Sequence, residues 1–502
     1  MEKNKDIINI GIITIFLVIG FLLFRNNFYF PLSDIGREFF IPSEMAEGKV
    51  LYKDIFNIYP PFGYFINAIT VKIFGNFINT FQTIGLILSF CILSAVYKIA
   101  KIYTTPLIAL LTSIFIIFSC TFYPSISNWL TPYSYSILYA LAAVMWAIYF
   151  LIKYNDTDKN RYLYYSSVLY GLSLSCKYEY IFFGFIIAIV LFYKKQNIYT
   201  FFKTVLFILF FPLISFIILL IQKVSLNDFI QAYNYALLLS KSSSVKFFYW
   251  FSGLTLSFNS VLRLIYSFFH PQFVSFFYSI VIWSIIILTF VNKSDLKYLI
   301  LHISAVLLSY KVLGGISFEI YGTYFFPFLF INLIAFLYCK KVSCKFLTII
   351  LIILILSYSS FVFRNKNFTE IETVKGVIKT NPQFKEPVTD MLDFISKMDK
   401  SDKILVLPEG VFLNYLTDTK TDNYLFYLIP PNVEIFGTEY VINRIKNGNY
   451  KYIAVSNVIY PWYNQTSFTN SWGGNIIKFI QSAYHLKLIT GENYRFYIYE
   501  IN

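Results

Sequence analysis

Eleven apolar runs constrain this chain more than any other feature: residues 7–24, 77–97, 105–122, 134–152, 162–176, 178–193, 201–221, 272–291, 298–313, 321–338 and 346–363. Runs of this length and character read as membrane spans. In lipid a backbone must satisfy its own hydrogen bonds, so such runs become helices. Composition agrees, with 57% hydrophobic and 14% charged residues, against roughly a quarter charged in soluble domains. The chain therefore reads as an α-helical polytopic membrane protein with about eleven transmembrane helices. Lys3 and Lys5 precede the first run, and Arg25-Asn26-Asn27 follows it where a cleavage site would need small residues. It reads as an uncleaved first helix.

Basic residues set the expected orientation. With the N-terminus inside, the inner segments carry Lys3 and Lys5, Lys98 and Lys101, Lys153, Lys159 and Arg161, Lys194, Lys195 and Lys203, Lys293 and Lys297, and Lys340, Lys341 and Lys345. The segment 60–75 holds Lys72, and counting it as a span would invert every later loop. It reads as an interfacial helix. Three regions then lie outside: 25–76, 222–271 and 364–502. The aromatic run Phe247 to Phe251 in the second is expected at the membrane surface. The expected location is the bacterial cytoplasmic membrane.

Composition changes after Phe363. Residues 365–502 hold 14 Lys/Arg and 14 Asp/Glu, so the net charge of +14 belongs to the membrane part. That distribution argues against a nucleic-acid-binding module. Residues 404–407, 452–455, 486–489 and 496–499 read as strands, and 387–399, 438–447 and 474–484 as amphipathic helices. The division expected is a membrane domain over 1–363 and an extracytoplasmic α/β domain over 364–502. The five cysteines, Cys91, Cys120, Cys176, Cys339 and Cys344, lie in or beside apolar segments and read as packing residues.

Charge falls at the outer ends of the spans, not at their middles. Asp34, Arg37 and Glu38 follow the first span at helical spacing; Lys177 and Glu179 separate the fifth and sixth runs; Lys311 and Glu319 flank the ninth and tenth. A secondary transporter would place ionisable groups near the midplane. This pattern points to chemistry at the outer interface. A helix from Asp34 to Ile41, capped by Ser33, is expected to stop before Pro42, with a second helix running on to Gly48.

The order Asp34, Arg37-Glu38, Met45-x-x-Gly48, Leu51-Tyr52-x-Asp54, Tyr59-Pro60-Pro61, Tyr64, Phe74-Gly75 resembles the first extracytoplasmic loop of GT-C glycosyltransferases. It is most similar to bacterial relatives of protein O-mannosyltransferases and of the lipid A aminoarabinose transferase. The segment Gly171…Lys177-Tyr178-Glu179 and the Leu407-Pro408-Glu409-Gly410 turn extend the likeness. The pattern departs where many members carry Asp-Glu, since Ile35 follows Asp34, and where Asn128 and Trp129 occupy a loop expected to hold a second acid.

The resemblance implies a GT-C fold and a polyprenyl-phosphate-linked sugar donor. It implies transfer to a lipid, glycan or protein acceptor in the cell envelope, by one inverting displacement. Phosphate leaves well when cations hold its charge, so one carboxylate suffices as base for the acceptor hydroxyl. Asp34 takes that role. Arg37, Lys177, Arg263 and Lys311 are the phosphate candidates; Glu38, Tyr59, Glu179 and Glu319 complete the donor site. No cofactor is assigned; the resemblance leaves room for a divalent metal and names no residue to hold one. Two rival readings are a transporter or flippase of lipid-linked saccharides and a non-catalytic anchor that displays the C-terminal domain.

Overall fold

The computed structural model describes residues 2–32, 34–251, 296–309, 317–365, 368–399, 401–492 and 494–502. The membrane part comprises α1 (Glu2–Phe24), α2 (Ile35–Ala46), α3 (Phe62–Phe74), α4 (Ile78–Tyr103), α5 (Pro106–Ile116, continued by a π turn), α6 (Tyr135–Thr157), α7 (Asn160–Cys176), α8 (Phe183–Tyr193), α9 (Ile198–Ile221), α10 (Leu226–Lys241), α11 (Ser243–Phe251), α12 (Leu296–Leu308), α13 (Ser317–Cys339) and α14 (Cys344–Arg364). Ten of the eleven apolar runs coincide with these helices; the run 272–291 lies outside the described residues. Among the described residues, six helices are long and apolar enough to cross a membrane, and shorter apolar helices accompany them. The protein is a multi-pass, mostly helical membrane protein.

Local signals explain where the helices begin. Thr105 caps α5 by accepting the Ile108 N–H at 3.3 Å, with Pro106 behind it as first helical residue. Asn197 caps α9 through the Thr200 N–H at 2.9 Å. Ser225 and Asp228 form a reciprocal capping box on α10. Close approach then decides packing. A Cβ on Gly171 of α7 would stand 2.1 Å from the Ile208 carbonyl oxygen of α9, so only glycine admits that contact.

One end of the bundle carries the basic clusters. Asp6 of α1 meets Lys98 at 2.9 Å and Lys101 at 2.8 Å; Lys194 meets Asp158 at 2.8 Å; the Tyr103 hydroxyl donates to the Lys297 carbonyl at 2.6 Å. The opposite end carries the first loop and everything after α14.

The C-terminal region follows as β2 (Thr369–Thr373), β3 (Gly376–Thr380), α15 (Pro382–Ser396), β4 (Ile404–Leu407), α16 (Val411–Thr417), α17 (Pro430–Phe436), α18 (Thr438–Asn447), β5 (Tyr452–Ser456), a small ribbon of β6 (Ile459–Tyr460) and β7 (Gln465–Ser467), α19 (Gly474–Ala483), β8 (Tyr484–Thr490) and β9 (Phe496–Ile501). Its main sheet has the order β4-β5-β9-β8, with β4 and β5 parallel and the rest antiparallel. The strands and helices expected from periodicity are present. A second sheet was not expected: β1 (Asn27–Phe28), directly after α1, pairs in parallel with β3, which pairs with β2. Two residues are too few to show alternation, so β1 left no trace in the pattern.

The first loop differs from expectation at one point. α2 runs unbroken through Pro42 to Ala46 and ends near Gly48, whose φ is +100°. The proline removes one backbone donor. The next residue compensates locally, because Ser43 Oγ donates to the Phe39 carbonyl at 2.7 Å. α2 is also held on both sides, and tertiary packing overrides the local preference of Pro42 to end a helix. The expected cap, Ser33, lies outside the described residues.

Candidate active site

α2 places Asp34 at its first boundary and Arg37 and Glu38 one turn on. Asp34 occupies the cap position yet makes no capping hydrogen bond. Its carboxylate is therefore not used up by the helix. Gly36 fixes where α2 can lie: a Cβ there would stand 2.6 Å from the Phe412 backbone nitrogen at the start of α16. The C-terminal region thus seats directly on the helix that carries these charges.

Arg37 is 5% exposed and lies among acids and aromatic rings. Nη1 stands 3.5 Å from Asp34 Oδ1, and Nε stands 3.3 Å from Glu38 Oε1. The guanidinium carbon lies 5.3 Å from the Tyr59 ring centre, 5.1 Å from that of Tyr427 and 5.8 Å from that of Tyr133. Lys177, after α7, lies over the same Tyr59 ring at 3.4 Å, and its Nζ is 3.9 Å from Glu179 Oε1. Two cations therefore flank one tyrosine.

Glu38 has a different part. It is fully buried and accepts the Tyr135 N–H at 3.0 Å besides its contact to Arg37. The Tyr64 hydroxyl reaches it at 3.5 Å. It does not line the cavity described next, so it orients Arg37 and ties α2 to the start of α6.

A cavity of about 180 Å³ opens beside these groups. Arg37, Tyr59, Lys177 and Glu179 form one wall, and Tyr133 and Tyr321 another. Phe248 and Tyr249 of α11 close it, together with Phe426, Tyr427, Asn432 and Tyr463 of the C-terminal region. Such a lining, mostly aromatic with a few convergent polar groups, is typical of small-ligand sites. The aromatic run expected at the membrane surface contributes Phe248 and Tyr249 to this wall. Phe248 packs on Tyr463 with ring centres 5.6 Å apart.

Charge is costly here. Burial pushes the Asp34 carboxyl above its ordinary range, while Arg37, the Tyr427 hydroxyl and Lys177 pull it back. Burial likewise lifts the Glu38 carboxyl, against Arg37 and Lys177. Arg37 stays a cation: burial opposes its charge, but Asp34 and its other neighbours raise it well above the usual guanidinium value. One polar atom of the cavity lining stays open: Arg37 Nη2 is buried and has no hydrogen-bond partner among the described residues. Asp34 Oδ1, also buried without a hydrogen bond, keeps only its ion pair with Arg37 Nη1 and does not line the cavity. Buried polar groups are normally paired, so an orphaned one in a cavity wall indicates a ligand's place.

Of the residues expected from sequence, the structure brings together Asp34, Arg37, Glu38, Tyr59, Lys177 and Glu179. Arg263 and Lys311 lie outside the described residues. Glu319 falls within α13, and nothing of its side chain is described. Asn128 and Trp129 are structural. Asn128 Oδ1 accepts the Leu130 and Thr131 N–H groups at 3.0 and 2.9 Å, and Trp129 is fully buried. Sequence reasoning missed Tyr133, Tyr321, Tyr427 and Tyr463. With 43 tyrosines in the chain, no spacing marks these four. Among the described residues, no three His, Cys, Asp or Glu side chains converge as metal ligands would.

Residues 59–221 match the model of the dolichyl-phosphate-mannose-protein mannosyltransferase family. Two solved structures share the fold across nearly the whole chain. ArnT from Cupriavidus metallidurans bound to undecaprenyl phosphate superposes with a TM-score of 0.58 at 9% identity, covering 98% of this chain and 97% of that one. The same protein in the apo state gives 0.57 at 8% identity with the same coverage. No curated protein matches the chain by sequence. The chain has the GT-C fold, and together the two findings support a glycosyltransferase of that fold.

Proposed function

We propose that this GT-C protein transfers a sugar from a polyprenyl-phosphate carrier to an acceptor hydroxyl on the outer face of the membrane. The observation that carries the reading is Arg37 Nη2, buried without a hydrogen-bond partner on a residue that lines the cavity, one helical turn from the Asp34 carboxylate. A guanidinium donor suits a phosphate oxygen, and a carboxylate oxygen suits an incoming hydroxyl proton. The match to a dolichyl-phosphate-mannose-dependent family and the likeness to a protein bound to undecaprenyl phosphate support the same donor class.

In this reading Arg37 and Lys177 hold the donor phosphate, and the sugar ring lies against Tyr59 and the aromatic walls. The acceptor oxygen forms its bond to the anomeric carbon from the side opposite the phosphate, and its proton passes to Asp34. The bond from carbon to phosphate oxygen breaks, and the electron pair leaves with the phosphate, whose charge the two cations hold. One displacement inverts the anomeric centre. Glu38 fixes Arg37, and Glu179 balances Lys177 before the phosphate arrives.

The test is transfer of radiolabel from metabolically labelled polyprenyl-phosphate sugars in permeabilised host membranes, at matched expression. Asp34→Asn is expected to lower transfer by about 10²–10⁴-fold while labelled donor accumulates. Equal transfer by both proteins would remove Asp34 as the base.

A further inference from the structure

A second hollow, which this mechanism does not use, lies between the first loop and the C-terminal region. It is an open polar cleft of about 490 Å³, in which four cations, Lys49, Lys53, Lys403 and Arg444, meet two acids, Asp54 and Asp422. Both acids are already engaged. Asp54 accepts the Val50 N–H at 2.8 Å within the first loop. Asp422 is 8% exposed and accepts the Tyr424 and Leu425 N–H groups at 2.6 and 2.7 Å and the Tyr450 hydroxyl at 2.8 Å. Arg444 Nε reaches its two oxygens at 2.8 and 2.9 Å.

The cations are not used up in the same way. Arg444 gives Asp422 only its Nε, and the Tyr424 ring, 4.1 Å from the guanidinium carbon, holds the group in place. Its two terminal nitrogens make no hydrogen bond among the described residues. An arginine fixed at one edge presents its other edge to an anion without further ordering. Lys49 and Lys53 are exposed and form no ion pair among the described residues. Lys403 donates to the Gly448 carbonyl at 3.3 Å, which leaves its charge unbalanced. One exposed lysine is only a solvated charge. Four cations brought to one concave surface by separate stretches of chain concentrate anions there. Asn423 adds a mark of another kind. It lines the cleft, and its Oδ1 is buried with no hydrogen-bond partner among the described residues. That atom accepts, so it suits a hydroxyl and not an anion. A ligand that answers both marks carries acid groups and hydroxyls together, as a phosphate-bearing saccharide does.

The cleft and the catalytic cavity share their dividing wall. In the first loop Asp54 lines the cleft and Phe56 the cavity; after α16 Asn423 lines the cleft and Phe426 the cavity; on α10 Gln231 lines the cleft and Leu239 the cavity. The wall is knit by backbone acceptors. The Phe56 N–H donates to the Asn423 carbonyl at 2.9 Å, and the Tyr424 hydroxyl donates to the Lys53 carbonyl at 3.0 Å. Gln231 and Leu239 stand about 12 Å apart along their helix. We propose that this cleft is a binding site for the phosphate-bearing saccharide headgroup of the acceptor, with Arg444, Lys49 and Lys53 on the phosphate and Asn423 on a hydroxyl. The acceptor role rests on the transferase reading above; the affinity of the cleft for a sugar phosphate does not.

The experiment follows the acylation of single lysines by mass spectrometry in the purified full-length protein. The probe is glucose 6-phosphate, against sodium chloride at equal ionic strength. Lys49 and Lys53 are expected to react about threefold more slowly at a probe concentration of twice its Kd, while exposed Lys478 keeps its rate. Arg444→Lys keeps a cation on Asp422 and loses the fork, and is expected to need about tenfold more probe for the same protection. Rates of Lys49 and Lys53 that the probe does not change beyond the salt control would overturn the inference. Nanodiscs of phosphatidylcholine with and without phosphatidylglycerol separate a substrate from a bilayer headgroup. Protection by phosphatidylglycerol but not by glucose 6-phosphate would overturn the saccharide assignment. The acceptor role is read in the permeabilised-membrane transfer assay. Lys49→Gln combined with Lys53→Gln is expected to lower transfer about fivefold, the effect of two exposed ion pairs, with the KM for donor unchanged. Undiminished transfer by that variant would overturn the acceptor role. Protection by glucose 6-phosphate in a wild-type protein that transfers no sugar would show the transferase reading at fault and not the site.

Discussion

Arg37 shows how one side chain divides its bonding. Three nitrogens face three uses: Nη1 toward Asp34, Nε toward Glu38, and Nη2 toward the cavity without a partner. Lysine cannot repeat that division, because its charge is a point and it has no planar fork. Arg37→Lys is therefore expected to keep the fold and lose transfer by at least about tenfold, a loss of roughly 1.4 kcal/mol of binding to the transition state. Arg37→Met leaves Asp34 and Glu38 buried without their cation and is expected to cost about 3–5 kcal/mol of stability. Comparing kcat/KM with thermal unfolding in detergent separates the two; a Lys variant with normal transfer would remove Nη2 from phosphate binding. Charge and helical spacing made Asp34, Arg37 and Glu38 legible in sequence. The tyrosines around them carry no such marks, and their role follows only from where the chain folds back.

Among the elements, α11 joins the cavity because of one residue far along the chain. The Glu434 carboxylate of α17 accepts from Ser242 Oγ and the Ser243 N–H, each at 2.8 Å, from Ser243 Oγ at 3.0 Å, from the Ser244 N–H at 3.2 Å and from Ser244 Oγ. It caps α11 from another part of the molecule. Burial pushes the Glu434 carboxyl upward, but the serine hydrogen bonds prevail and hold it below the ordinary range. A lowered folded value means that this contact is fully present above the unfolded pKa of about 4.3. It is lost as pH falls through the lowered value. Distances between spin labels on α10 and α18 are expected to be narrow at pH 7 and to broaden below about pH 4. In Glu434→Ala they are expected to be broad at both. Narrow distances in that variant at pH 7 would show that α11 is held by other contacts. Sequence periodicity located most helices and the main strands, since each buries a continuous face. It did not find α11's contact with α17, because Ser-Ser-Ser and a lone Glu carry no pairing information across 190 residues. Nor did it find the passage of α2 through Pro42, which packing decides.

At the scale of the whole molecule, the cavity has two owners. Arg37, Tyr59 and Lys177 come from the membrane part, and Phe426, Tyr427, Asn432 and Tyr463 from the chain after α14. The seam between them is held by the β1–β3 pairing, by α16 on α2, and by Asn381 Nδ2 donating to the Tyr29 carbonyl at 3.0 Å. A chain ending after Arg364 is expected to insert into the membrane and to transfer no sugar. Cutting the full chain at a protease site placed between α14 and β2 is expected to leave transfer largely intact, because the seam does not depend on that link. Release of the C-terminal fragment from washed membranes after cutting would show the seam too weak to hold. The abrupt change of composition after Phe363 is visible in the sequence. The cavity shared by residues before and after that point is not, because the seam uses backbone pairing and close approach, which leave no side-chain pattern.

The pairing of β1 with β3 also sets an order of events during synthesis. Asn27 and Phe28 are made almost at once, and their partners Lys379 and Thr380 some 350 residues later. A strand waiting that long contributes nothing until its partner is made, and contacts of such separation form late. Asp34 therefore emerges beside the bilayer with half of its surroundings still unmade. A partly translated chain has Asp34, Arg37 and Lys177 but lacks the walls contributed by Tyr427 and Tyr463. Under the proposed function, the protein is expected to be silent until its last third is delivered, and an aborted chain left in the membrane is expected to consume no lipid-linked sugar.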